Sequence, residues 1–258
     1  MKTILLALFI CLFGINGLKA QDANSSTSAS NVRQDSVFKN EKEEKVRFNG
    51  HVAGIYGGFI TFGKSDYSAY KNKDFMKLKL QTSYTVALNI IEINIGLQKQ
   101  KNTVGIVAGI GAEFQNMEFD NKIAIHKNKK GIIEPFTYDE GSISSSRLRV
   151  LSANIPLMLE FQSPSNKTSR FHFNMGVVGS YNFITQTKVK ITENKFPHKS
   201  KTISNRGNLN MPRFNFDLMA QMGGNHFAVW ARYGITPLFE KNKGPELHQV
   251  SFGAAILF

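Results

Sequence analysis

Cysteine is almost missing. The only one in 258 residues is Cys11, inside an N-terminal segment expected to be cleaved, so the mature chain has neither thiol nor disulfide, as suits an oxidising envelope. Also missing is any apolar run long enough for a spanning helix: Ile4–Ile15 is the longest, and a bilayer needs about 20 residues. There is no zinc signature, no phosphate loop and no acidic calcium loop. Gly109-Ile110-Gly111 lacks a third glycine and precedes no helical pattern, which excludes a dinucleotide fingerprint. No cofactor or metal is expected. Acidic residues are scarce, 19 against 32 Lys and Arg, for a formal net charge of +13. Without a nucleic-acid-binding module this excess points to an anionic membrane surface and not to nucleic acid.

What is present begins with a signal peptide. Met1-Lys2-Thr3, a short apolar core and Gly17-Leu18-Lys19-Ala20 fit an export signal over residues 1–20. Its removal takes Lys2 and Lys19 and lowers the charge by two, to +11. Residues 21–45 are polar, rich in Ser and Asn and then of mixed charge, as expected of a disordered periplasmic leader.

From residue 46 to residue 258 the texture is period-two alternation with no sustained helical period, the pattern of strands. Eight runs stand out, near Val46–Phe62, Lys77–Leu97, Thr103–Phe119, Leu148–Phe161, Phe171–Ile191, Asn210–Met222, His226–Thr236 and His248–Phe258. In the first, Phe48, Val52, Tyr56 and Ile60 are set opposite Asn49, His51 and Thr61. The phase of the second slips at Ile90-Ile91, the mark of a β-bulge. Several runs reach the ~9–11 residues that cross a bilayer at a tilt.

Connections alternate. Gln98–Asn102, Gln162–Arg170 and Gly223–Asn225 are short, whereas Gly63–Met76, Asp120–Arg147, Thr192–Leu209 and Pro237–Leu247 are longer. Membrane barrels have short turns on one side and long loops on the other. The expected fold is an all-β, eight-stranded antiparallel transmembrane β-barrel, an up-and-down meander with both termini in the periplasm. Its apolar face looks to lipid and its polar face fills the lumen. Glu92, Glu113, Glu160, Asp217, Arg232, His51 and His172 sit on the polar faces and form an interior structural charge network. Aromatic girdles are expected from Phe48, Tyr56, Phe62, Phe161, Phe171, Phe183, Phe227 and Tyr233. Phe258 ends a strand with apolar residues at alternate positions, the kind of terminus read by barrel-assembly machinery.

Ile106–Met117 (IVAGIGAEFQNM), Leu151–Gln162 (LSANIPLMLEFQ), Phe173–Tyr181 and Val250–Phe258 together resemble the PorT-like outer-membrane β-barrel family common in Bacteroidetes. The resemblance covers residues 46–258 and implies an eight-stranded barrel in the bacterial outer membrane. Its namesake belongs to the type IX secretion pathway, so secretion-system components are among the partners it implies.

The functional expectation is a non-enzymatic barrel with a structural, adhesion-like or secretion-accessory role. Three alternatives stay open: a narrow pore, an outer-rim lipid-modifying enzyme or protease, and a soluble lipocalin-like binder of apolar ligands. His126, Asp139 and His198 lie in long loops, but nothing in their spacing joins a nucleophile, a base and an orienting acid. Lys188, Lys190, Lys195, Lys199, Lys201 and Arg206, with Lys127, Lys129 and Lys130 in another loop, read first as solvated loops with no specific partner; the alternative is that on the outer side they face lipopolysaccharide phosphates.

Overall fold

The computed structural model describes residues 48–71, 74–98, 102–138, 141–163, 171–193 and 200–258. Signal peptide, leader, Asp139, Lys195, His198 and Lys199 lie outside these residues. The described residues form eleven strands: β1 (Gly54–Asp66), β2 (Tyr84–Gly96), β3 (Val104–Glu118), β4 (Ala124–Lys127), β5 (Ile133–Phe136), β6 (Gly141–Gln162), β7 (His172–Glu193), β8 (Ser200–Arg206), β9 (Phe214–Gly223), β10 (Phe227–Gly234) and β11 (Glu246–Leu257). Eight of them close a ring in the order β1-β2-β3-β6-β7-β9-β10-β11, each antiparallel to its neighbours, with β11 returning to β1 from Gly54↔Leu257 to Asp66↔Glu246. This is the expected eight-stranded up-and-down barrel. Closure gives each of the eight strands a neighbour on both sides, as a lipid-facing wall requires, although β1 and β2 meet only from Gly54↔Asn89 to Phe59↔Tyr84.

Alternation decides what faces out. Ile55, Phe59, Val86, Ile93, Ile106, Ile155, Leu157, Leu218, Val229 and Ile256 are exposed around the wall, Ile93 at 61%. Soluble monomers rarely leave a contiguous apolar surface of more than a few hundred Å², and a belt around all eight strands requires a non-aqueous neighbour. On β6 the outward apolar side chains run from Leu151 to Phe161. That is about ten steps of ~3.3 Å on a strand tilted by ~40°, or about 25 Å of height, the thickness of a lipid-facing band. The predicted slip at Ile90 is present: Asn89 and Ile91 pair with Gly111 and Ile110, leaving Ile90 as the extra residue.

Four expectations need correcting. First, the opening run is not one strand. β1 starts at Gly54, and residues 48–53 turn into the lumen. Phe48, Val52, Tyr56 and Ile60 are therefore buried inside, while Ile55 and Phe59 look out. Phe48 and Tyr56 belong to no girdle.

Second, β2 is shorter than its run, because Leu80–Thr82 form a 3₁₀ turn ahead of it. Third, two of the long loops carry structure: β4 and β5 pair with each other, and β8 pairs with the far half of β7. β6 and β7 are each 22 residues long, so at the same tilt their far halves rise about 25 Å past the apolar band. β7 pairs with β9 from His172 to Tyr181, then with β8 from Gln186 to Thr192.

Fourth, β7 does not keep one phase. Leu151 pairs with Ile184 and Ser152 with Asn182, so Phe183 is an extra residue. Beyond it Thr187, Val189 and Ile191 point inward and are buried, and Gln186, Lys188 and Lys190 share the outward face with Ile184.

Candidate functional site: a filled lumen and a basic outer sheet

At the terminal end the lumen is occupied by the chain itself. Residues 48–53 are not strand, and backbone groups away from water need partners. Interior side chains supply them. The amides of Val52 and Ala53 donate to Glu92 Oε2 at 2.7 and 2.9 Å, and that of His51 to Glu160 Oε2 at 2.9 Å. The carbonyl of His51 accepts from Gln221 Nε2 at 2.7 Å and Asn174 Nδ2 at 3.2 Å. Asn89 Nδ2 donates to the carbonyl of Val52, and Gln162 Nε2 to that of Asn49. Phe48 lies over Gly105, where a Cβ would come within 2.4 Å of the ring. Gly105, one residue before the glycine-rich stretch that carried the family resemblance, thus makes room for this segment.

The seven expected interior residues fall into two groups rather than one network. Near the terminal end, His51 Nδ1 is 2.6 Å from Glu160 Oε1, and its ring stacks on His172 at 4.3 Å; Glu92 holds the chain beside them. Further along, Arg232 Nη1 meets Glu113 Oε2 at 2.6 Å and Asp217 Oδ2 at 3.7 Å, with Thr85 Oγ1 donating to Glu113 at 2.7 Å. Taking several charges out of water is costly unless each is paired and hydrogen-bonded. Glu113 and Arg232 meet both conditions. Glu160 is held by His51 and Gln162 and Glu92 by the backbone amides, whereas Asp217 lies at the longer distance from Arg232.

The interior is not polar throughout. Val52, Tyr56, Val107, Met158, Val178, Met219 and Trp230 form an apolar cluster inside the barrel. At the far end Phe75, Met76, Met117, Ile133, Leu148, Phe239 and Leu247 join loops and strand tops into a second apolar core, which caps the barrel. Two cavities in the lumen measure about 10 and 20 Å³. A single water needs ~10–15 Å³ on this measure. The barrel is therefore packed along its length, which opposes both the pore and the lipocalin-like alternatives.

The loop histidine that can be placed, His126, lies against Phe136 with ring centroids 5.0 Å apart. Among the described residues no cluster of three metal-ligating side chains occurs. Lys188, Lys190 and Arg206 belong to the β6–β7–β8 sheet beyond the barrel, where Lys188 pairs with Ser204 and Gln186 with Arg206. Lys201 instead pairs with Ile191 on the sheet's other face. That face packs Ile143, Val189, Ile191 and Ile203 against Ala124 of β4. Sequence reasoning passed over Arg147 and Arg149, which register with Lys188 and Gln186. The odd-numbered phase that they share with Leu151 was the available signal. Phe258 is 70% exposed, and its amide donates to the carbonyl of Ala53 at 3.2 Å.

No protein-family model matches the chain, and no curated protein matches it. Among solved structures, two of Ail, the attachment invasion locus protein of Yersinia pestis, are similar at 12% identity, with 80% of this chain and 100% of theirs covered. One is in complex with the heparin analogue sucrose octasulfate; the TM-scores are 0.30 and 0.32. Likeness at this level supports no argument about function.

Proposed function

We propose that this chain is a non-conducting, non-enzymatic barrel of the bacterial outer membrane that works through the surface it projects, in a structural, adhesion-like or secretion-accessory role of the PorT-like kind. The observation that carries this reading is the pairing of an apolar belt with a packed lumen: the wall needs lipid, and the interior passes no solute. In this reading residues 1–20 are the export signal and residues 21–45 a periplasmic leader. Both termini lie in the periplasm, and the barrel-assembly machinery recognises Phe258. The long-loop end then faces lipopolysaccharide, and secretion-system components are the candidate protein partners.

The test is fractionation with heat-modifiable gel migration. The protein is expected in the outer-membrane fraction, migrating differently before and after boiling; recovery in a soluble periplasmic fraction would overturn the reading. Deletion of the gene, followed by assays of secretion and envelope sensitivity, separates a secretion role from a structural one.

A further inference from the structure

The lipid-facing wall changes character abruptly on one side. Along β6 the outward residues read Leu157, Ile155, Ala153, Leu151 and then Arg149 and Arg147; along β7, Ile184 is followed by Gln186, Lys188 and Lys190. The rows register across the sheet: Arg149 with Gln186 and Arg206, Arg147 with Lys188 and Ser204. Five cations thus stack directly above the apolar band, within about 7–20 Å of its last side chains along the strands. Glu118 is the acid that faces them, 2.7 Å from Arg147 Nε, and Asn116 Oδ1 accepts from Arg149 Nε at 3.1 Å.

Beside this ladder the wall opens. β7 leaves β9 at Tyr181 and takes up β8 at Gln186, and the fork between them is a cleft of about 500 Å³. Tyr181, Phe183 and Ile184 line its apolar side, and Arg206 and Arg213 its charged side. Tyr181 packs edge-on against Phe183 and Phe214 at 5.1 and 5.0 Å.

The geometry points to a lateral binding site for the phosphate-bearing headgroup of a membrane glycolipid in this cleft. Guanidinium groups take phosphate oxygens in pairs, the aromatic side receives the start of the acyl region, and Lys188 and Lys190 meet further anionic groups above. Its chemistry is that of a lipid that is apolar below and doubly phosphorylated at the interface. The inference rests on the outer-membrane reading and adds to it a defined site and a ligand class.

Full-length protein is refolded into phosphatidylcholine nanodiscs carrying a few per cent of diphosphoryl lipid A, and the lipid retained after detergent extraction is measured by native mass spectrometry. Wild-type protein is expected to retain the diphosphoryl lipid over phosphatidylcholine, and the monophosphoryl form less well. Removing charge with R206Q and R213Q should each lower retention about fivefold, as expected for one cation at a charged surface, and the pair should lower it further. K201Q, on the opposite face of the sheet, should change retention less than twofold. Millimolar inorganic phosphate should not displace the lipid; displacement would show a free-phosphate site and overturn the lipid assignment. Equal retention by wild type and R206Q/R213Q, with heat-modifiable migration intact in both, would overturn the site while leaving the membrane reading standing. Failure of the wild type to insert into the nanodisc would instead overturn the membrane reading.

Discussion

Arg232 and Glu113 meet across the lumen. They lie on β10 and β3, four places apart in a ring of eight strands, and the guanidinium reaches the carboxylate at 2.6 Å. A pair that spans the barrel couples opposite walls, and removing one partner leaves the other buried and uncompensated. R232M is expected to cost about 3–5 kcal/mol, with much of the loss recovered in E113Q/R232M. Trp230, the only tryptophan of the chain, lies 5.8 Å from the guanidinium and reports urea unfolding in lipid vesicles directly. A single variant as stable as wild type would show that the pair contributes nothing.

The luminal segment is held by carboxylates. In E92A the amides of Val52 and Ala53 lose their acceptor, and hydrogen exchange there should accelerate about tenfold or more, from charge-assisted bonds of roughly 1.5–3 kcal/mol. Amides of β9 should keep their protection. Uniform acceleration across the barrel would mean global destabilisation rather than release of residues 48–53.

Gly105 tests the packing of the same segment. G105A places a methyl against the Phe48 ring and should destabilise by about 1–3 kcal/mol. The F48A/G105A double variant should be less impaired than the sum of the single changes, and additivity in this double-mutant cycle would remove the contact from the account.

No ion conductance is expected in planar bilayers. The E92A/E160A variant, which frees the terminal end, should stay closed as well, because the apolar core of Phe75, Met76, Met117 and Phe239 seals the other end. Discrete current steps from the wild type would contradict a packed lumen.

Tyr67, buried in that cap, has its phenol pushed up to about 12, chiefly by burial and further by the nearby Asp74 carboxylate. Its unfolded value is about 10. A raised phenol pKa stabilises the cap fully below pH ~10, and the contribution fades as pH climbs through about 12. Cap amides should therefore lose exchange protection over that window, and Y67F should abolish the dependence. An unchanged profile in Y67F would assign the alkaline loss to other groups.

The ring of strands was legible because alternation and loop length are written locally. Even the bulge at Ile90 shows as a break in parity. The luminal turn was not, because Phe48, Val52, Tyr56 and Ile60 keep the parity of a strand whichever side they face, and parity alone does not say inside or outside. Glu92 and Glu160 were recognised as interior, but their use as acceptors for a non-strand backbone depends on contacts with residues 40 and 109 positions away along the chain. The basic ladder was only half visible: the extra residue Phe183 reverses the phase of β7, which moves Lys188 and Lys190 to the outer face beside Arg147 and Arg149.

The two 22-residue strands have a mechanical consequence. β6 and β7 stay paired from Gly141↔Glu193, far outside the apolar band, down to Gln162↔His172 at its other end. A pull on the outer tip therefore runs along the ladder, and its hydrogen bonds resist together in shear instead of opening one at a time. Whatever grips the outer sheet is anchored through the full depth of the wall.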